Sequence, residues 1–190
     1  MTGAGAIVFA GRWVVWYGGG VTANGVRMRG ERRYLAGAIA VVGLVALLLY
    51  AGTLQHGFIA DDFIFLHQLR FPEPGTGAFS YFGRDWGMGA AFYRPLVRVL
   101  WAAEYQVFGQ IPVGWHAVSL ALYVANAALV AALAARVAGR ASVGLLAGLL
   151  FAAHPAHPET VSWIANQSDL LAAFLGLSGV LTYLYAHSPR

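Results

Sequence analysis

Tyr34 to Leu54 is a run of 21 residues without a charge, and it fixes the environment in which this chain folds. A helix rises about 1.5 Å per residue, so the run spans the roughly 30 Å hydrocarbon core of a bilayer. It is too long for the core of a signal peptide, and no small-residue cleavage site follows it. Trp115 to Val137 is a second span, interrupted only by His116, Ser119 and Asn126. Ala141 to Ala153 is a third apolar run of only 13 residues. Either its helix begins earlier, near Arg136, or it ends inside the membrane depth, where irregular backbone survives only under cover of protein or water. In the second case the segment after Ala153 faces an internal cavity. Leu170 to Tyr185 is a fourth run of 16 residues, extendable backward through Val161-Ser162-Trp163-Ile164. Hydrophobic residues make up 59% of the chain and charged residues 11%, against roughly 25% charged in soluble domains. The expected class is therefore all-α: a polytopic helical membrane protein with about four transmembrane helices.

The basic residues set the orientation. All 12 are arginine. Arg27, Arg29, Arg32 and Arg33 precede the first span, which places that end in the cytoplasm. Arg136 and Arg140 flank the turn between spans two and three, and Arg190 follows span four. Four crossings put all three sites on one side, and residues 55–114 and 154–169 together on the other. The absence of lysine, with so much Ala and Gly, suggests a bacterial source. The expected location is the cell (inner) membrane. The net charge of +4 does not indicate nucleic acid, because the arginines form no basic face. Cysteine is absent, which excludes disulfides and thiolate metal sites. Residues 1–33 form a cytoplasmic or weakly structured segment. Its apolar stretch Ala4 to Val21 is broken by Arg12 and Gly18-Gly19-Gly20, and Met28 is an alternative start.

The loop 55–114 has structure of its own. Pro72-Glu73-Pro74-Gly75-Thr76-Gly77 breaks it. Tyr93-Arg94-Pro95-Leu96 then opens a helix through Phe108, with proline suited to the first turn. Leu96, Val99, Leu100, Ala103 and Val107 share one face, and Arg94, Arg98, Trp101 and Tyr105 another. This pattern predicts an interfacial amphipathic helix lying apolar side down. Trp86, Trp101 and Trp115 fit an interfacial aromatic belt.

Three groups of residues carry chemistry. Asp61-Asp62 follows the first span closely. Adjacent carboxylates beside an apolar surface are costly unless paired, bound to a cation or sharing a proton. One of them in a partly dry site can act as a general base; equally, the pair can cap the helix beginning at Phe63. His154-Pro155-Ala156-His157-Pro158-Glu159 places two imidazoles and a carboxylate on a stiff backbone. That suits a substrate site or a divalent metal, or simply a capped helix break. The prolines keep these residues off a shared helix face, so no standard zinc spacing results. Arg94 and Arg98, four residues apart, suit a phosphate or diphosphate, or snorkel to lipid headgroups. Ser168-Asp169 with His154 lacks the nucleophile elbow and oxyanion motif of a hydrolase triad. Asn166-Gln167-Ser168 has the form of a glycosylation sequon, meaningful only in a secretory eukaryotic context.

The order of these pieces resembles the amino-terminal membrane part of the GT-C glycosyltransferases, most of all the transmembrane-and-tetratricopeptide-repeat proteins related to the protein O-mannosyltransferases. The residues that carry the resemblance are Phe58-Ile59-Ala60-Asp61-Asp62, Tyr93-Arg94-Pro95-Leu96, Gly114-Trp115-His116, Asn126, Leu150 to Ile164 and Ser168-Asp169-Leu170-Leu171. It covers residues 34–190, and its most specific part is the His-Pro-x-His-x-Glu block. It implies a membrane enzyme that transfers a sugar from a polyprenyl-phosphate donor to a hydroxyl of a protein or glycan acceptor, on the non-cytoplasmic side. By this analogy Asp61 or Asp62 is the essential acid, and Asp61 deprotonates or orients the acceptor. Arg94 or Arg98 holds the carrier phosphate, and His154, His157 and Glu159 line the same cavity. A divalent metal is compatible with this scheme. Two departures stand out. Asn166-Gln167 replaces an expected Gly-Arg, and the chain is far shorter than the family, as a truncated product, a fragment or one piece of a split protein would be. The competing expectation is a non-enzymatic subunit that binds other membrane proteins through small residues such as Gly144, Ala147 and Gly148. A metal-handling protein using His154, His157 and Glu159 is a third.

Overall fold

The computed structural model describes residues 6–10, 13–17, 24–83 and 93–187. Trp86, Arg190, Arg12 and the Gly18 to Gly20 triplet lie outside the described residues. The expected helical class holds. A short antiparallel ribbon of β1 (Ala6–Ala10) and β2 (Trp13–Tyr17), with Ala6 opposite Tyr17 and Ala10 opposite Trp13, comes first, and the regular elements after it are all helical among the described residues. Helix α1 (Asn24–Tyr50) starts ten residues ahead of the uncharged run and carries the arginine cluster on its first turns. A 3-10 turn, Ala51–Gln55, extends it. Then come α2 (Asp62–Arg70), a 3-10 turn at Ala78–Phe82, α3 (Pro95–Phe108), α4 (Pro112–Ala138), α5 (Ala141–Ala152), the short α6 (Pro158–Ser162) and α7 (Gln167–Ala186). Proline opens α3, α4 and α6, where its missing N–H costs nothing.

Among the described residues three helical stretches are long and apolar enough to cross a membrane: Arg33–Gln55, Pro112–Ala138 and Ile164–Ala186. They alternate in direction with α5. At one end of the bundle the His56 and His116 rings lie 6.0 Å apart, bringing the end of α1 to the start of α4. At the other, Arg136 donates to the Leu184 carbonyl at 3.2 Å and its guanidinium lies 5.5 Å from the Tyr185 ring. Arg136 and the end of α7 therefore share one end, as the arginine pattern requires. We call the opposite end the loop end.

Helix α5 decides between the two readings of the short third run. Gly139, in the left-handed region with φ 66°, ends α4, and α5 begins at Ala141 rather than near Arg136. The Tyr123 hydroxyl reaches the carbonyls of Phe151 and Ala152, both at 3.1 Å. Tyr123 is eleven residues into α4, so α5 stops about 16 Å short of the level where α4 begins. The chain crosses the remaining depth as irregular backbone, α6 and a 3-10 turn at Ile164–Asn166.

Two cores hold the fold. In the deeper one Val42, Ala46 and Tyr50 of α1 meet Leu120, Tyr123, Ala127 and Ala131 of α4, with Ala152, Val161 and Leu170. Small residues set its spacing. A Cβ on Gly148 would lie 2.7 Å from Val42 Cγ2 and 2.9 Å from Ala131 Cβ, and one on Gly144 would lie 2.7 Å from Ala135 Cβ. Gly144 and Gly148 are thus used inside the chain, against α4 and α1, and are not open to a partner. The second core, at the loop end, gathers Phe65 and Leu66 of α2, Val97 and Trp101 of α3, Trp115 of α4, and Ile164 and Ala165. The Phe65 and Trp101 rings stack at 4.2 Å.

This second core corrects one expectation and agrees with another. Trp101 and Trp115 are 2% and 1% exposed, so they are core side chains and not members of an interfacial belt. In α3 the face turned to the protein is Val97, Trp101 and Glu104. Leu96 and Val107 point away from it, exposed, as an apolar face laid against lipid would be.

Candidate functional site

The loop end brings together pieces that are far apart in sequence. Ala60 takes φ 45°, a left-handed conformation that costs an alanine roughly 1–2 kcal/mol. This kink turns the chain into α2 and presents the two aspartates in different directions. Asp62 is buried, 1% exposed. Its Oδ2 accepts the Ile59 N–H at 3.0 Å, while the Asp62 N–H donates to the Ile59 carbonyl at 3.0 Å. Its Oδ1 accepts the Ala165 N–H at 3.1 Å, a tie across 103 residues. Burial pushes the Asp62 carboxyl above the ordinary carboxylate range, and the neighbouring Asp61 adds to this. The two backbone N–H donors oppose it, as does, least of all, the Trp163 indole pointing toward it.

Asp61 occupies the N-cap of α2, is exposed, and makes no side-chain capping bond. Neither aspartate caps the helix in the ordinary way. Asp62 instead ties the first loop to the second, and Asp61 is left facing outward beside that junction.

From α3, the Arg94 Nη1 donates to Ser168 Oγ at 3.1 Å, so this guanidinium also reaches the second loop. Arg98 lies with its guanidinium 4.4 Å over the Tyr81 ring. Both arginines are thus held at the loop end, Arg94 against the first turn of α7 and Arg98 against the 3-10 turn.

The His-Pro block occupies the start of the second loop and packs on α4 and α5. His157 Nδ1 lies 2.9 Å from the Tyr123 hydroxyl and 3.1 Å from the Phe151 carbonyl. His154 is exposed, and its Nδ1 accepts the Ala156 N–H at 3.2 Å. Glu159 is exposed in the first turn of α6. The contacts of Asp62 run to residues 163 and 165 of the same loop, so one loop carries both groups at its two ends. Among the described residues no three His, Asp or Glu side chains converge as metal ligands.

Two buried polar residues of this region are not among the three chemistry-bearing groups of the sequence. Gln167 is fully buried. Its Oε1 accepts Trp101 Nε1–H at 2.8 Å, and its Nε2 donates to the Trp115 carbonyl and to Ser119 Oγ, both at 3.1 Å. The departure Asn166-Gln167 is therefore a satisfied neutral hub. Beside it Glu104 is 3% exposed with neither carboxylate oxygen hydrogen-bonded. Burial pushes the Glu104 carboxyl up to about 8, slightly offset by Gln167. The available signal was spacing: Glu104 falls three residues after Trp101 and seven after Val97, on one helical stripe.

The chain is 31% identical over 175 residues to the protein O-mannosyl-transferase TMTC1 of Homo sapiens, covering 87% of this chain and 20% of that protein. It is 32% identical over 154 residues to tmtc2 of Xenopus laevis, covering 77% and 18%. It is 32% identical over 148 residues to Tmtc2 of Drosophila melanogaster, covering 74% and 16%. The chain thus spans about a fifth of the length of these relatives. No protein-family model matches it, and neither does any solved structure. The relationship expected from the motifs is present: the chain is related in sequence to the protein O-mannosyl-transferases of the GT-C type.

Proposed function

We propose, from its kinship with the TMTC protein O-mannosyl-transferases, that this chain is part of a membrane glycosyltransferase working at its loop end. The donor is a sugar on a polyprenyl phosphate, and the acceptor is a hydroxyl of a protein or glycan on the non-cytoplasmic side. The membrane is the inner membrane of a bacterial cell, with the arginine end in the cytoplasm. The observation that carries this reading is the Asp62 junction. It fixes the two loops to each other and leaves the Asp61 carboxylate facing outward, with Arg94 reaching the same second loop from α3.

In this scheme Asp61 takes the proton of the acceptor hydroxyl as its oxygen attacks the anomeric carbon. The bond from that carbon to the phosphate oxygen breaks, and the polyprenyl phosphate leaves with the electron pair. Arg94, with Arg98, offers guanidinium hydrogen bonds to the departing phosphate. Asp62 is a positioning residue: its two backbone bonds hold Asp61 and the second loop in register. The internal use of Gly144 and Gly148 weakens the competing view of a non-enzymatic subunit, because two of the three small residues invoked for partner contact are already covered and only Ala147 remains half-buried.

The test is sugar transfer from polyprenyl-phosphate mannose by the complete protein that contains this chain, in native membranes. Asp61→Asn is expected to lower transfer by at least a hundredfold while membrane insertion is unchanged. Full-rate transfer by Asp61→Asn would refute the carboxylate role. Arg94→Gln is expected to raise the donor KM more than it lowers kcat. A change in kcat alone would remove Arg94 from donor binding.

A further inference from the structure

The hydrogen bonds of the His-Pro block fix which nitrogens of its two histidines carry protons. Among the described residues three acceptors lie within 3.1 Å of the Tyr123 hydroxyl, the carbonyls of Phe151 and Ala152 and His157 Nδ1, while the Tyr50 hydroxyl beside it has a proton of its own to donate to the Tyr123 oxygen. The Phe151 carbonyl can only accept, and it lies 3.1 Å from His157 Nδ1. If Nδ1 held a lone pair, two lone pairs would face each other and the Ala152 carbonyl would lose the Tyr123 proton to the ring. If Nδ1 is protonated, it donates to Phe151 O, and Tyr123 donates to Ala152 O. The Ala152 carbonyl at the broken end of α5 is then satisfied, and the Phe151 carbonyl, which already accepts the His154 N–H at 3.2 Å, gains a second donor. The ring's remaining nitrogen, Nε2, keeps its lone pair, and it has no hydrogen-bond partner among the described residues.

His154 comes out the opposite way. Its Nδ1 accepts the Ala156 N–H, so that nitrogen holds the lone pair and its Nε2 carries the proton. The two rings are 5.5 Å apart with planes tilted by 42°. One offers an acceptor and the other a donor, side by side, at the edge of the second loop. We infer that His154 and His157 form a binding site for vicinal hydroxyls of a sugar, one hydroxyl donating to His157 Nε2 and its neighbour accepting from His154 Nε2–H. The same proton count disfavours a divalent metal, since His154 Nε2 becomes a ligand only by giving up its bond from Ala156. This deepens the proposed function and rests on its premise that the chain handles a sugar.

The experiment uses the full chain in lipid nanodiscs with nitrogen-15 histidine, and methyl α-mannopyranoside and zinc ion as probes. The spectrum is expected to show His157 as the Nδ1–H tautomer and His154 as the Nε2–H tautomer. The mannoside is expected to shift both Nε2 resonances. His157→Asn, whose amide can keep the bond to Phe151 O while deleting the outward acceptor, is expected to weaken mannoside binding about tenfold without unfolding the chain. His154→Phe is expected to do the same by removing the donor. The inference is overturned if either tautomer is reversed, if the mannoside shifts neither resonance, or if zinc shifts both rings at stoichiometric concentration while the mannoside does not. The outcomes separate from those of the parent reading. Mannoside binding without sugar transfer by the complete protein would sink only the glycosyltransferase assignment. Transfer at full rate by His157→Asn would sink only the hydroxyl site.

Discussion

Asp62 and Glu104 are both carboxylates buried at the loop end, yet their surroundings differ. Asp62 accepts two backbone N–H groups, and losing it would orphan both. Each orphaned buried donor costs roughly 1–3 kcal/mol, so Asp62→Ala is expected to destabilise the protein by several times RT and to free the second loop for proteolysis. Glu104 has no such donors, and it is more stable protonated. Its folded value of about 8 lies above the unfolded value of 4.5. The folded state therefore holds the proton more tightly. The stability Glu104 permits is fully present below pH 4.5 and falls as pH rises toward 8. Unfolding in detergent at pH 5 and pH 9 is expected to show this loss. Glu104→Gln is expected to abolish it and to raise stability at pH 9 by roughly 1–3 kcal/mol. A pH dependence unchanged in Glu104→Gln would place its origin elsewhere.

At the scale of elements, the packing of α5 rests on glycines. Gly148→Ala puts a methyl against Val42 and Ala131 from two sides. Overpacking of this kind costs roughly 1–3 kcal/mol, and it should appear as a lowered melting temperature. Gly176→Ala on α7, where a Cβ meets nothing within 4 Å, is the matched control and is expected to be neutral or slightly stabilising. Much of this level was legible in the sequence. Apolar run length gave the three long helices, and Pro95 and Phe108 bound α3 as its motif indicated. The shortness of α5 was visible as 13 apolar residues, although only the structure shows that it ends near Tyr123. At α3 helix periodicity marks the lipid-side stripe but not the residues buried against the protein. The apolar stripe, with Leu96 and Val107 exposed, is placed as an interfacial helix requires. On the protein side the structure buries Val97 and Trp101, and Gln167 across the interface gives the Trp101 indole a partner. Such a choice depends on a residue 66 positions away and leaves no local trace. The same holds for the aspartates: their proximity marked the region, but which of the two is buried is decided by Ala165 and by the kink at Ala60.

For the whole molecule, the natural lack of cysteine makes topology directly measurable. Thr76→Cys, in the first loop, is expected to react with a membrane-impermeant maleimide applied outside intact cells. Ala138→Cys, exposed at the end of α4, is expected to react only after the membrane is opened. The reverse pattern would invert the orientation read from the arginines.

The Asp62 to Ala165 tie has a further bearing on how the protein is made. The loop-end core draws on residues 65–115 and then on 164–165, so the first loop lacks its closing partner until the second has been synthesised. At about 5–20 residues per second, the 103 intervening residues represent roughly 5–20 s of waiting. During that interval Phe65, Trp101 and the Asp62 carboxyl are present on the nascent chain without the surface that buries them. The loop end therefore closes only late in synthesis, and a ribosome pause shortly after residue 115 would lengthen the period in which it stands open to proteases and to mispairing.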